Sequence, residues 1–201
     1  GLTLNVLAGA RYLDVEQVAT LRKLYAPYQG HPHWPKLPGV EASTGSLGQG
    51  LSIAAGIALA ARLDKKDYHT FCIMGDGEQQ KGQIGEARRM AVKFKLTNLT
   101  AIIDYNRLQI SGDISEVMPQ NIKANWESDG WTVIEIDGHN IAEIIDAFEE
   151  TEKVKDKPTI IIAHTVKGKG VSFMEDDVSW HGKSPSTEQA EQAIKELENS
   201  E

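Results

Sequence analysis

Asp76 stands between two glycines, in Gly75-Asp76-Gly77, directly after the apolar run 69–74. About thirty residues later a second apolar run ends at Asp104-Tyr105-Asn106, with a further glycine at Gly112. A carboxylate and an amide both offer hard oxygen, and a backbone carbonyl near Leu108 would add a third. One or two protein carboxylates, other oxygens and ligand phosphates are the usual way Mg²⁺ is held. Glycines beside Asp76 let a ligand approach the backbone closely. The helix expected after them offers unpaired N–H groups and a partial positive end to phosphate. Asp76 and Asn106 together therefore point to a divalent cation that grips a diphosphate. Taken alone, Gly-Asp-Gly is an ordinary strand-to-helix turn, and 106–110 reads equally well as a simple β-turn.

For the two side chains to meet, they must leave neighbouring strands of one sheet. The apolar runs 69–74, 98–104, 131–136 and 158–164 predict strands. They are nearly continuous rather than alternating, which suits strands covered on both faces. Between them 83–94, 121–128 and 141–154 predict helices, so the expected architecture is α/β, a parallel sheet sandwiched by helices with right-handed crossovers. Ligands then sit beyond the carboxyl ends of the strands. Residues 15–25 predict a short helix capped by Asp14, and 47–63 predict a helix apolar on many sides, hence buried or at an interface. The stretch 29–39 holds three prolines and suits neither helix nor central strand. A glycine- and charge-rich loop spans 167–183, and 187–197 predicts an exposed helix.

The 201 residues suffice for one substantial domain. Hydrophobic and charged fractions of 40% and 25% are those of an ordinary globular chain. A net charge of -8 argues against nucleic acid or an anionic membrane as partner. A lone Cys72 excludes an internal disulfide and suits a reducing, cytoplasmic setting; within its apolar run it reads as a small buried hydrophobe. No stretch is apolar for long enough to span a membrane.

With these motifs in view, the chain resembles the transketolase family. Gly75-Asp76-Gly77 with Asn106 is similar to the thiamine-diphosphate motif. The segments 37–52, Gln29-Gly-His-Pro32, Val166-Lys-Gly-Lys-Gly-Val171 and Ser179-Trp-His-Gly-Lys183 resemble the family's loops in the same order. The likeness is strongest to amino-terminal half-subunits of split transketolases. It implies a single thiamine-diphosphate-binding (PP) domain over 1–201, lacking the family's first segment. It also implies thiamine diphosphate with Mg²⁺ (or Ca²⁺), with Asp76, Asn106 and the Leu108 carbonyl as metal ligands and Gly75 and Gly77 shaping the turn. Gly45 and Leu47 would lie along the cofactor. His181 would face the diphosphate and move protons, His31 would reach a substrate hydroxyl, and Lys167 and Lys183 would add positive charge near phosphate.

Read without the family, His31 and His33 suit a surface loop, His181 suits an ordinary surface position, and Lys167 and Lys169 suit a solvated one. His69, His139 and His164 are given structural places. Two departures stand out. The histidine-bearing segments that precede the family's equivalent of residues 1–11 are absent, and Lys81 stands where the family carries Glu, although Glu86 is retained. The family's catalytic Glu lies on a pyrimidine-binding domain outside these residues. A complementary subunit is therefore expected, with self-association to a dimer or heterotetramer. The implied activity is transfer of a two-carbon ketol unit from a ketose phosphate to an aldose phosphate. A fold-retaining scaffold or regulatory module, and a 2-oxo-acid dehydrogenase subunit, remain alternatives.

Overall fold

The computed structural model describes residues 2–199. The chain divides into two compact units, Gly1–Gln49 and Gly50–Glu201. In the first, α1 (Leu2–Gly9) and the single turn α2 (Val15–Val18) precede a run of irregular turns. A small apolar cluster holds it together: Ala8, Leu13, Tyr28 and Leu37, with Leu7, Val18, Leu21 and Val40 against them. Asp14 caps α2 as expected, accepting the Glu16 N–H at 3.0 Å. The helix does not run to residue 25, however. Arg22 and Tyr25 adopt left-handed backbone, and the Arg22 N–H turns away to the Tyr28 carbonyl at 2.7 Å.

The second unit opens with α3 (Gly50–Leu63), which begins three residues later than its sequence pattern suggested. It continues as β1 (Thr70–Gly75), a 3-10 turn (Gly77–Gln80), α4 (Gly82–Lys93), β2 (Leu99–Tyr105), and a two-residue hairpin of β3 (Leu108–Gln109) and β4 (Gly112–Asp113). Then come α5 (Ile114–Val117), α6 (Ile122–Ser128), β5 (Thr132–Asp137), α7 (Ile141–Lys153), β6 (Thr159–His164), a 3-10 turn (Val178–Trp180) and α8 (Thr187–Glu198). The four long strands form a parallel sheet in the order β1-β2-β6-β5. β-Branched runs such as Thr159-Ile-Ile-Ile suit its pleated, buried centre. Among the described residues no helix is long and apolar enough to cross a membrane.

Two crossovers run one way along the sheet, through α4 and α6, and one runs back, through α7. Right-handed crossovers must then place α7 on the opposite face. The core divides accordingly. Leu51, Ala54, Ala55 and Ala58 of α3, Ile84, Ala87 and Ala91 of α4, and Ile122 and Trp126 of α6 pack on one face of β1, β2 and β6. Ala147 and Ile144 of α7 pack on the other face with Ile136, Ile161 and Ile102. β6 is covered on both sides. The edge strand β1 is not: its residues alternate, with Phe71 and Ile73 exposed at 50% and 76%. Cys72 faces the covered side, where burial, and then the Glu78 charge, push its thiol up to about 12. It is an inert packing residue.

Candidate functional site

The sheet brings Asp76 to the turn that carries Asn106. β1 and β2 are neighbours in register, with Gly75 opposite Asp104, so their exits lie side by side. Asp76 is 2% exposed. Its Oδ1 accepts the Gly77 N–H at 2.6 Å, and its Oδ2 accepts the N–H of Arg107, one residue past Asn106. Asn106 Oδ1 accepts the Leu108 N–H at 2.9 Å, and Arg107 at φ 65° completes the tight turn. Asp76, Asn106 and Leu108 thus occupy one corner at the carboxyl end of the sheet.

Three polar residues after Gly77 lock this corner. Glu78 Oε2 accepts the Gly75 N–H at 3.2 Å. Gln79 donates to the Gly75 carbonyl at 3.1 Å and accepts from Trp126 Nε1 at 3.2 Å, with Trp126 fully buried. Gln80 donates to Gln109 Oε1 at 2.8 Å, and Gln109 lies where a Cβ on Gly77 would come within 2.9 Å of its Oε1. The sequence reading missed Glu78, Gln79 and Gln80, because a polar run at a strand end resembles an ordinary surface turn. At Gly75, by contrast, a Cβ would meet nothing within 4 Å, so the strand end itself is open.

Burial raises the Asp76 carboxyl above its ordinary range, the neighbouring Asp104 charge adds to this, and the N–H bonds from Arg107 and Gly77 oppose it. Among the described residues no Lys or Arg forms an ion pair with it. A buried carboxylate without a cationic partner is costly, and a metal ion relieves that cost. No group of three or more His, Cys, Asp or Glu among the described residues could hold a metal by side chains alone. The corner instead has one carboxylate, one amide and backbone carbonyls. That set fits Mg²⁺ completed by ligand phosphates.

Beyond β6 the chain is tied back to β2. The Thr165 N–H donates to the Tyr105 carbonyl at 3.1 Å, and its hydroxyl donates to the Asp104 carboxylate. Lys167 follows in a turn closed by Lys169 N–H to Val166 O at 3.2 Å and Asp176 N–H to Lys167 O at 3.0 Å. The structure places His181 within electrostatic reach of Lys167. Burial, and then the Lys167 charge, hold its imidazole below the ordinary value. Lys183 lies over the Trp180 ring, 4.7 Å from its centre. Lys81 and Glu86 are both exposed, and among the described residues no ion pair joins them. In the first unit His31 packs on Gly45: a Cβ there, at φ 126°, would fall 2.6 Å from the ring. Leu47 is 59% exposed.

The family pattern described as "Transketolase, thiamine diphosphate binding domain" matches residues 2–199. One of the two subunits of an apulose-4-phosphate transketolase from Phocaeicola vulgatus is 44% identical over 187 residues, covering 92% of this chain and 66% of that protein. The 6-deoxy-6-sulfo-D-fructose transketolase subunit SqwG of a Clostridium species is 38% identical over 193 residues, covering 96% and 70%. Among solved structures, the transketolase of Campylobacter jejuni superposes with a TM-score of 0.86 at 35% identity, over 91% of this chain and 30% of that one. The chain thus spans about two thirds of the length of the subunit relatives and under a third of the single-chain enzyme. Together with the parallel sheet and its Asp76 corner, these matches show that the chain belongs to the transketolase thiamine-diphosphate-binding domain family.

Proposed function

We propose that this chain is the diphosphate-binding part of a two-subunit transketolase. Asp76, Asn106 and the Leu108 carbonyl hold Mg²⁺ or Ca²⁺, and the metal anchors the diphosphate of thiamine diphosphate. Gly75 and Gly77 leave the strand end open to the ligand. Lys167 and Lys183 add positive charge, His181 carries a proton near the diphosphate and substrate, and His31, Gly45 and Leu47 line the cofactor and donor sugar. When bound, thiamine diphosphate supplies a carbon nucleophile and electron sink for cleaving and forming the bond beside a ketone. The activity proposed is two-carbon ketol transfer from a ketose phosphate to an aldose phosphate. A partner subunit carries the pyrimidine side of the cofactor, as the relatives named as subunits suggest.

The observation that supports this best is Asp76, a 2% exposed carboxylate bonded to the backbone beside Asn106 and joined to no cationic side chain among the described residues. A neutral histidine near that corner suits proton transfer, which typically contributes about 10²–10⁴-fold in rate. The test is a calorimetric titration with thiamine diphosphate, with and without Mg²⁺, followed by a ketol-transfer assay with a complementary subunit. Saturable, Mg²⁺-dependent binding with turnover supports the proposal. Binding without turnover points to a scaffold, and absence of binding rejects the cofactor role.

A further inference from the structure

His139, in the turn after β5, touches neither the Asp76 corner nor His181 through any bond described so far, yet its ring has a definite partner. The Val166 N–H donates to His139 Nε2 at 2.8 Å. We propose that His139 is a positioning residue whose neutral imidazole holds the turn presenting Lys167. A ring nitrogen that accepts a hydrogen bond must keep its lone pair, so the proton sits on Nδ1.

The local structure aims this ring. Its own backbone N–H donates to Asp137 Oδ1 at 2.9 Å, and the next residue, Asn140, caps α7 through Ala142 N–H at 3.1 Å. Glu143 accepts from the Asp137 N–H and the Asn140 amide, both at 2.8 Å. Gly138 lets the turn dock closely: its N–H reaches the His164 carbonyl at 2.8 Å, and a Cβ there would lie 2.5 Å from Thr165 Cγ2. The exit of β6 is thus clamped between the end of β2, through Thr165, and the turn after β5. His139 supplies the last tie before Lys167. The charged groups on the packed elements are Asp137 and Glu143 on its own turn and helix, and His164, Lys167 and the Thr165-bound Asp104 on the facing strands. Protonation at Nε2 would set an N–H against an N–H and release the turn.

The consequence for cofactor binding rests on the role proposed for Lys167 above, so the test uses two readouts on the full chain. Hydrogen exchange of the Val166 amide is followed by NMR at about pH 8 and about pH 5, either side of the ordinary imidazole value. Protection in the wild type should be present at the higher pH and fall at the lower one. His139→Ala should lose it at both, and His139→Gln, with an amide oxygen that does not titrate, should keep it at both. Equal protection in wild type and His139→Ala, or no fall with acid, overturns the proposal. Titration with thiamine diphosphate and Mg²⁺ should show His139→Ala about 3–10-fold weaker, with His139→Gln close to wild type. Equal affinity of wild type and His139→Ala overturns the positioning role. A wild type that binds no cofactor overturns the diphosphate reading instead, and the exchange comparison still decides for or against His139.

Discussion

The corner at Asp76 and the segment from Lys167 to Lys183 are built in opposite ways. At the corner a buried carboxylate meets two backbone N–H groups, and the residues after it tie back to Gly75, Trp126 and Gln109. In the segment, His181 and Lys183 are exposed, and the chain is shaped mostly by its own backbone turns and by left-handed Gly168 and Gly170. The difference shows where rigidity has been placed. The oxygen ligands are fixed by the fold before anything binds, so little ordering remains to be done on binding. The proton-carrying histidine rides on a surface segment whose final geometry depends on what packs against it.

Two substitutions test this contrast most sharply. Asp76→Ala removes the only carboxylate proposed as a metal ligand. Metal-dependent affinity for thiamine diphosphate should fall by roughly 100-fold or more, since even outer partners of metal ligands cost about 10–100-fold. His181→Ala should leave that affinity within about tenfold in the same calorimetric titration, because it removes one exposed contact. Equal losses would mean that the corner is not the anchor.

Stability should separate the two regions next. Gln79→Leu leaves Trp126 Nε1 and the Gly75 carbonyl without their partner in a buried setting. Each such group costs about 1–3 kcal/mol, so denaturant melts should show a loss of about 2–4 kcal/mol. In the segment, Gly168→Ala puts a Cβ 2.6 Å from the Met174 carbonyl at φ 74°. Its cost should be about 1–2 kcal/mol and should appear as faster hydrogen exchange in 166–176. Global melting should move less than for Gln79→Leu. A segment variant that unfolds the whole domain more easily than Gln79→Leu would erase the distinction.

Much of the sheet was legible because its strands are apolar and β-branched, and every predicted strand exists within a residue or two at each end. The open face of β1 was not legible. Phe71, Cys72, Ile73 and Met74 are all apolar, so only the tertiary structure shows that alternate ones are exposed. The short hairpin at 108–113 fell below the length at which alternation can be read. Residues 15–25 were over-read as a helix because the Arg22 N–H finds a partner outside it. Asp76 and Asn106 were legible as a pair because glycines and strand ends mark them. Glu78 and Gln79 were not, since polar residues read as exposed until their buried partners are known. His139 was given only a structural place because its partner is a backbone N–H 27 residues away, which leaves no trace in side-chain spacing.

The smallest effect concerns His181, and it asks how closely the segment holds its charges together. Its imidazole lies below the ordinary value of about 6.5, first through burial and then through the Lys167 charge. The folded chain therefore gives up this proton more readily than the unfolded chain. Below the ordinary imidazole value the unfolded state binds more proton, so this group's contribution to stability is lost as pH falls through that window and is fully present above it. Lys167→Gln removes the second cause and leaves the first. The His181 midpoint, followed by NMR of its ring proton, should rise in that variant yet remain below the ordinary value. An unchanged midpoint would place Lys167 too far from His181 to act on it. A midpoint fully restored would make charge, rather than burial, the main influence on the ring, and the segment would then be even more open than its exposed side chains suggest.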